Sequence, residues 1–466
     1  MIEDSKSALI ATHTRLKNEF NQSPYPSLDE RKRCLAVVKS QLLTLRDEFV
    51  AAANEDFGSR SEFDTLIADI MPSVTAIEYI ERHLSKWMRK QKRAAGMTWL
   101  PSKASVEVVP KGVVGVIAPW NYPIQLALVP AITALAAGNK VMIKLSEFTP
   151  QVNQIMRRLF TEVEGQVQIV EGGPEVAATF TELPFDHLIF TGSTAVGKKV
   201  MTAAAKNLTP VTLELGGKSP VLVLEDANID AAATSILMGK LSNSGQICVA
   251  PDYLLVDNKV KDKLLGAMKQ QYASLYQAKG GFAKQTSIIN QAQFDRLQGV
   301  IADAEQKGAT IWRAESTSQG RKLPLHIITE VSDDMQVMQE ELFGPILPVV
   351  GVDSLDDAIT QIRTRSTPLA SYLFTASQDS IDYVSKNLAT GTLGINETIV
   401  QVAVESLPFG GLGYSGMGQY HGEEGFYTFS HKKSILQSGN SQWRNKLLLT
   451  HSKWLTKPLQ WLFLRG

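Results

Sequence analysis

From residue 113 to residue 224 the chain alternates short β-branched runs with longer stretches whose apolar residues recur at helical spacing. Residues 113–118, 140–144, 166–170, 187–190, 211–215 and 221–224 read as strands, since short runs rich in Val, Ile and Leu suit a sheet buried on both faces. Residues 126–137, 150–164, 175–181 and 195–206 read as helices between them. So strict an alternation calls for right-handed crossovers and a mostly parallel sheet covered on both sides. That is a doubly wound α/β, nucleotide-binding architecture. One stretch imitates a membrane span: from Gly112 to Asn139 the only ionisable side chain is the phenol of Tyr122. Pro119, Pro123 and Pro130 interrupt it, so the pattern predicts a strand, a loop and a buried helix.

A chain of 466 residues with 44% hydrophobic content can bury a large core in two or three domains. Lys plus Arg equals Asp plus Glu at 47 each, so no global field draws nucleic acid. Two cysteines far apart, Cys34 and Cys248, make neither a disulfide framework nor a zinc site. With no basic and apolar leader pattern at Met1–Lys6, the expected location is cytoplasmic. No internal repeat or low-complexity tract interrupts the pattern.

Three segments carry candidate chemistry. Residues 190–198, Phe-Thr-Gly-Ser-Thr-Ala-Val-Gly-Lys, follow a strand and open a helix. Free backbone N–H groups and the positive helix end there can receive a pyrophosphate, although the spacing matches neither G-x-G-x-x-G nor a Walker loop. A plain strand-to-helix turn capped by Ser193 or Thr194 is the alternative. Cys248, in Gly245-Gln246-Ile247-Cys248, is a small buried hydrophobe or a nucleophile toward a carbonyl carbon. Glu214, in Leu213-Glu214-Leu215-Gly216-Gly217-Lys218, is a general base if poorly solvated, or a carboxylate paired with Lys218 and therefore lowered in pKa. Cys34 reads as a structural thiol. His421 and His431 suggest no metal, being single histidines in glycine-rich or polar runs.

Taken in order, Pro119-Trp120-Asn121-Tyr122-Pro123, residues 190–197, residues 213–218, Gly245–Cys248, Glu341-Leu342-Phe343-Gly344-Pro345 and Pro408-Phe409-Gly410-Gly411 resemble the aldehyde dehydrogenase superfamily over most of the chain. Ala250-Pro251-Asp252-Tyr253 and residues 415–422 look most like its class 3 branch, and Asp56-Phe57-Gly58-Ser59-Arg60-Ser61 resembles bacterial coniferyl aldehyde dehydrogenases. The resemblance implies that Cys248 adds to an aldehyde, and that the Asn121 amide and the Cys248 backbone N–H hold the oxyanion. Hydride then passes to a nicotinamide, and Glu214 activates the water that hydrolyses the thioester. The net reaction would be aldehyde plus NAD(P)+ plus water to carboxylate plus NAD(P)H. Trp120, Lys144, Glu147, Gly192, Ser193, Gly197, Leu215, Glu341 and Phe343 would contact the cofactor. NAD is favoured over NADP, because a carboxylate at Glu147 repels a 2′-phosphate. Leu145 departs from the proline more usual after this lysine.

The same resemblance implies a Rossmann-like NAD-binding domain (1–90 and 111–216), an α/β catalytic domain (217–407) and a small β oligomerisation arm with bridging segments (91–110 and 408–440). A C-terminal tail (441–466) would follow. A homodimer is expected. The apolar tail residues Trp454, Trp461 and Phe463 fit packing on a partner subunit better than a membrane surface, with Lys453, Lys457 and Arg465 beside them. Tyr122 and Phe57 offer aromatic surface for an aromatic, coniferyl-type or medium-chain aliphatic aldehyde. A cofactor-independent thiol esterase and a catalytically silent binding protein on the same fold are the alternatives, and CoA-acylating relatives are disfavoured because Glu214 supplies a water-activating base.

Overall fold

The computed structural model describes residues 5–96, 99–314, 319–440, 442–450, 456–458 and 460–461. In chain order the strands are β1 (Gln91–Arg93), β2 (Lys103–Pro110), β3 (Val113–Ile117), β4 (Lys140–Lys144), β5 (Val167–Val170), β6 (His187–Gly192), β7 (Val211–Leu215) and β8 (Pro220–Val223). They continue with β9 (Tyr253–Asp257), β10 (Thr310–Arg313), β11 (His326–Thr329), β12 (Ile346–Val352), β13 (Ala370–Phe374), β14 (Thr392–Ile395), β15 (Gly416–Met417) and β16 (Ser430–Gln437). Two compact units result, Met1–Trp87 with Pro110–His431 and Met88–Val109 with Lys432–Gly466. The segment after 408 therefore joins the small unit only from 432.

The larger unit holds two sheets. The first runs β15-β7-β6-β3-β4-β5, parallel except for β15. β3 sits in the middle, β4 and β5 extend to one side, and the chain then returns past β3 to lay down β6 and β7. That reversal is the switch point at which doubly wound sheets bind nucleotides. The second sheet runs β10-β11-β12-β9-β8-β13-β14, with only β10 antiparallel to its neighbour. The run 221–224 thus belongs to a different sheet from the strands just before it. In the small unit β2 lies between β1 and β16.

The expected strands and helices of residues 113–215 all form, with one shortened. The helix expected over 150–164 stops at Leu159 and continues as a single tight turn over Thr161–Val163. The span-like stretch resolves into β3, a proline-rich loop and the helix Gln125–Ala136, which is apolar on every side because it is enclosed by protein. Among the described residues no helix is long and apolar enough to cross a membrane. Lys453, Trp454, Phe463 and Arg465 of the tail lie outside the described residues.

Candidate active site

Parallel register places the carboxyl ends of β3, β4, β6 and β7 on one edge of the first sheet. Trp120 and Asn121 follow β3, Lys144 ends β4, Gly192 and Ser193 end β6, and Glu214 and Leu215 end β7. Residues far apart in sequence are therefore neighbours on a single rim.

Glu214 is 3% exposed, and neither carboxylate oxygen finds a hydrogen-bond partner among the described residues. Flanking strands enclose it, with Thr191 of β6 on one side and Gly416 of β15 on the other. Burial alone raises its pKa well above 4.5. Lys218 does not relieve this: its ammonium binds Asp252 at 2.5 Å and the carbonyls of Val337 and Glu340, both at 2.9 Å. The pairing alternative for Glu214 is therefore excluded by the partners Lys218 takes.

Cys248 is half-buried in the loop that follows the helix Ile229–Leu241. Asn243, Ser244 and Gly245 all take positive φ, at 47°, 55° and 71°. At Gly245 a Cβ would come within 2.5 Å of the Gly344 carbonyl oxygen, so only glycine fits. Asparagine tolerates this backbone region because its amide bonds locally, and Asn243 Nδ2 donates to the carbonyls of Asn121 at 3.1 Å and Gln246 at 3.3 Å. Gln246 is fixed in turn, donating to Asn243 and Ser287 carbonyls and accepting from Ile289 N–H. Beyond the thiol, the Tyr372 hydroxyl donates to the Val249 carbonyl at 2.5 Å. The nucleophile candidate thus rides on a strained loop held from both sides.

The thiol is pushed up to about 12, by burial first and then by the nearby Glu341 and Glu214 carboxylates, while the backbone N–H groups of Cys248 and Val249 favour the thiolate. Cys248, Glu214 and Glu341 therefore lie within electrostatic reach of one another. Asn121 is buried, and its side-chain Nδ2 donates to the Gln246 carbonyl at 3.0 Å. An amide has two N–H groups, so one remains for a substrate oxygen. Tyr122 is buried with its ring 5.2 Å from the Arg60 guanidinium. Phe57, expected to offer aromatic surface, is fully buried beneath Arg60 and beside Trp120, so it shapes the wall and meets no substrate.

The cofactor candidates converge on the same rim. Glu341, with Gly217 N–H donating to it, is pushed up to about 8 by burial and then by Asp252, against the pull of Lys218 and Arg296. Its Oε1 has no partner among the described residues. A Cβ on Gly216 would stand 2.1 Å from its Oε2, so Gly216 is what lets the carboxylate approach. Phe343 meets Trp120 edge to face at 5.4 Å between centroids. A cleft of about 550 Å³ is lined by Thr194, Gly217, Lys218, Met338, Glu341 and Arg365. Ser193 caps the helix Thr194–Ala205, accepting from Val196 N–H at 3.4 Å. Capping uses only one of the free amides at that helix end, so the turn and the anion site coexist. Gly197 lets the helix pack on Leu215, 2.6 Å from where a Cβ would stand. Lys144 Nζ donates to Glu147 at 3.2 Å. Buried Glu341, the open helix end and the Lys144–Glu147 pair fit a dinucleotide carrying ribose hydroxyls and phosphates.

His421 is buried against Phe409 and lowered to about 4 by burial, Cys34 is raised to about 11 by burial, and no metal-ligand cluster occurs among the described residues. Sequence reasoning missed Arg60, Asp69, Asn243 and Gln246, which frame the rim by long-range hydrogen bonds. Of these only Asp69 stands out, as a carboxylate in the apolar run Leu66–Met71; Arg60, Asn243 and Gln246 lie in polar, serine- and glycine-containing runs that give no local signal.

The sequence profile described as the aldehyde dehydrogenase family matches residues 5–435. A probable coniferyl aldehyde dehydrogenase of Pseudomonas aeruginosa is 41% identical over 459 residues, covering 98% of this chain and 96% of that protein. The substrate-bound Staphylococcus aureus AldH superposes with a TM-score of 0.87 at 35% identity, covering 94% of this chain and 98% of that one. A Mycobacterium tuberculosis aldehyde dehydrogenase complexed with NAD+ superposes with a TM-score of 0.86 at 29% identity, covering 95% and 92%.

Proposed function

The chain belongs to the aldehyde dehydrogenase family and catalyses NAD(P)-dependent aldehyde oxidation, and we propose that Cys248, Glu214 and Asn121 perform it through a thioester held on the cysteine. The observation that carries this reading is the unpartnered, buried Glu214 carboxyl within electrostatic reach of the Cys248 thiol. Sγ of Cys248 adds to the aldehyde carbon, and its proton leaves to solvent. The carbonyl oxygen turns anionic between the free Asn121 N–H and the Cys248 backbone N–H, where preorganised donors stabilise it most. When bound, the nicotinamide ring supplies the hydride acceptor. Trp120, Phe343 and Glu341 would hold that ring and its ribose, and the amides near Ser193 the pyrophosphate. With the acyl group on Cys248 as a thioester, Glu214 takes a proton from water and the hydroxyl displaces the thiolate. The balance is aldehyde plus NAD(P)+ plus water to carboxylate plus NAD(P)H plus two protons.

NAD is the preferred cofactor in this reading, because Glu147 beside Lys144 disfavours a second phosphate at the adenine ribose. Substrates are aromatic, coniferyl-type or medium-chain aliphatic aldehydes. A cleft of about 760 Å³ beside the helix leading to Cys248, with Phe63, Leu237, Met238, Leu275 and Tyr276 in its walls alongside Asp64, Lys279 and Lys284, offers apolar surface that supports a largely nonpolar substrate. The functional enzyme is a homodimer. NADH absorbance with a panel of aldehydes, and with NAD against NADP, tests the reading. Turnover is expected to be fastest with aromatic or medium-chain aldehydes and NAD, whereas equal turnover of short hydrophilic aldehydes would overturn the substrate class.

A further inference from the structure

We infer that Arg60 is a positioning residue for Asn121, held in place by a fully buried ion pair with Asp69. It rests on the oxyanion role proposed above for Asn121. The two side chains are both 0% exposed, with Nη2 2.8 Å from Oδ2. Ions taken this deep lose their hydration, so apolar residues of the same volume would serve stability as well or better. Geometry gives the pair another task.

Arg60 Nη1 donates to the Asn121 carbonyl at 2.7 Å. Asp69 Oδ1 accepts from the backbone N–H groups of Ile124 at 3.2 Å and Gln125 at 2.9 Å, where the helix Gln125–Ala136 begins. One ion pair therefore grips the chain on both sides of the turn that presents Asn121. The guanidinium lies 4.6 Å from the Phe57 ring centroid and 5.2 Å from that of Tyr122, so aromatic faces hold its position. Asp69 sits in Leu66–Ile70, a π-helical turn within a helical run, a local irregularity that often marks functional positions.

The Asn121 carbonyl also accepts from Asn243 Nδ2 at 3.1 Å. Two donors occupy both lone pairs of that oxygen and lock the peptide plane. One side-chain N–H of Asn121 is already committed to the Gln246 carbonyl. The aim of the remaining N–H then follows from the backbone that Arg60 and Asn243 hold. A donor misaimed by about 1 Å loses on the order of 100-fold in rate.

A double-mutant cycle on the full-length protein tests this, comparing Arg60→Met, Asn121→Ala and the combination. The readouts are the pre-steady-state NADH burst rate, 4-nitrophenyl acetate hydrolysis and the dissociation constant for NAD. Arg60→Met should slow the burst and the ester hydrolysis by the same factor, roughly 10- to 100-fold, with NAD affinity unchanged. In the Asn121→Ala background it should add no more than about 2-fold, because coupled residues are not additive. Arg60→Lys keeps the charge beside Asp69 but not the planar fork that reaches both acceptors, so it should restore only part of the rate. Arg60→Met with Asp69→Asn removes both buried charges and keeps the amide acceptor, giving a folded protein in which the slow burst should persist. A wild-type burst in that variant, or a fully additive loss beside Asn121→Ala, overturns the role of Arg60. Were Asn121→Ala itself to react at the wild-type rate, the oxyanion assignment and this inference would fall together.

Discussion

Replacing Glu214 by glutamine removes one proton site and keeps the side chain's shape, so two consequences of its burial can be measured on one variant. In the native protein the carboxyl holds its proton well above 4.5, whereas the unfolded chain releases it near the ordinary carboxylate value. Between those two pKa values the unfolded state binds fewer protons than the native state, and stability must fall as pH rises. The contribution is complete below pH 4.5 and lost as pH climbs through the folded pKa. Its slope is about 1.4 kcal/mol per pH unit wherever the folded carboxyl still holds its proton and the unfolded one has released it. A glutamine amide does not titrate, so thermal denaturation of Glu214→Gln and wild type should show a gap that opens toward neutral pH in favour of the variant. In catalysis the burst of NADH should survive, because the base acts on hydrolysis of the thioester, while steady-state turnover drops by roughly 10²- to 10⁴-fold. A stability gap that stays flat from pH 5 to 7 would refute the buried-acid argument. Equal steady-state rates under deacylation-limited conditions would refute the base.

Cys248→Ala should abolish NADH formation with every aldehyde, and retention of full turnover would remove the nucleophile assignment. Gly216→Ala brings a methyl within 2.1 Å of the Glu341 carboxylate, so calorimetry should show NAD affinity falling by about 10-fold or more. An unchanged dissociation constant would separate Glu341 from the cofactor. Lys218→Met leaves Asp252 unpaired in a setting where the two side chains are 8% and 5% exposed, and should cost about 3–5 kcal/mol. Thermal denaturation at neutral pH is the check, and a midpoint unchanged from wild type would contradict the cost.

Much of the first sheet was legible because buried parallel strands are written as short β-branched runs, and residues 113–215 contain them without interruption. The second sheet was less so. Its strands pair in the order β9, β8, β13, so neighbours come from distant segments and no local pattern announces the pairing. The helix expected through Glu164 shows the limit at element ends, since its last turn is decided by packing rather than by propensity. At the site, Glu214 and Cys248 stood out as a carboxylate and a thiol in apolar runs. Whether Glu214 paired with Lys218 depended on where Asp252 lay, and only the folded chain shows Lys218 turned toward Asp252. Phe57 illustrates the reverse error, because an aromatic residue near a site in sequence says nothing about which way its ring faces.

By itself, then, the sequence determined the strand and helix periodicity, the family, and the types of side chain available for the chemistry. These are properties of residues and their immediate neighbours, which local backbone sterics and apolar spacing translate directly. The tertiary structure decided which of those groups are stripped of water and which are paired. The Glu214 carboxyl is raised well above 4.5 because β6 and β15 close around it and leave it without a hydrogen-bond partner among the described residues. Asn121 is aimed by Arg60, a residue whose partner lies nine positions away on a π-helical turn. Desolvation and long-range hydrogen bonding depend on distances through space, and those exist only once the chain has folded.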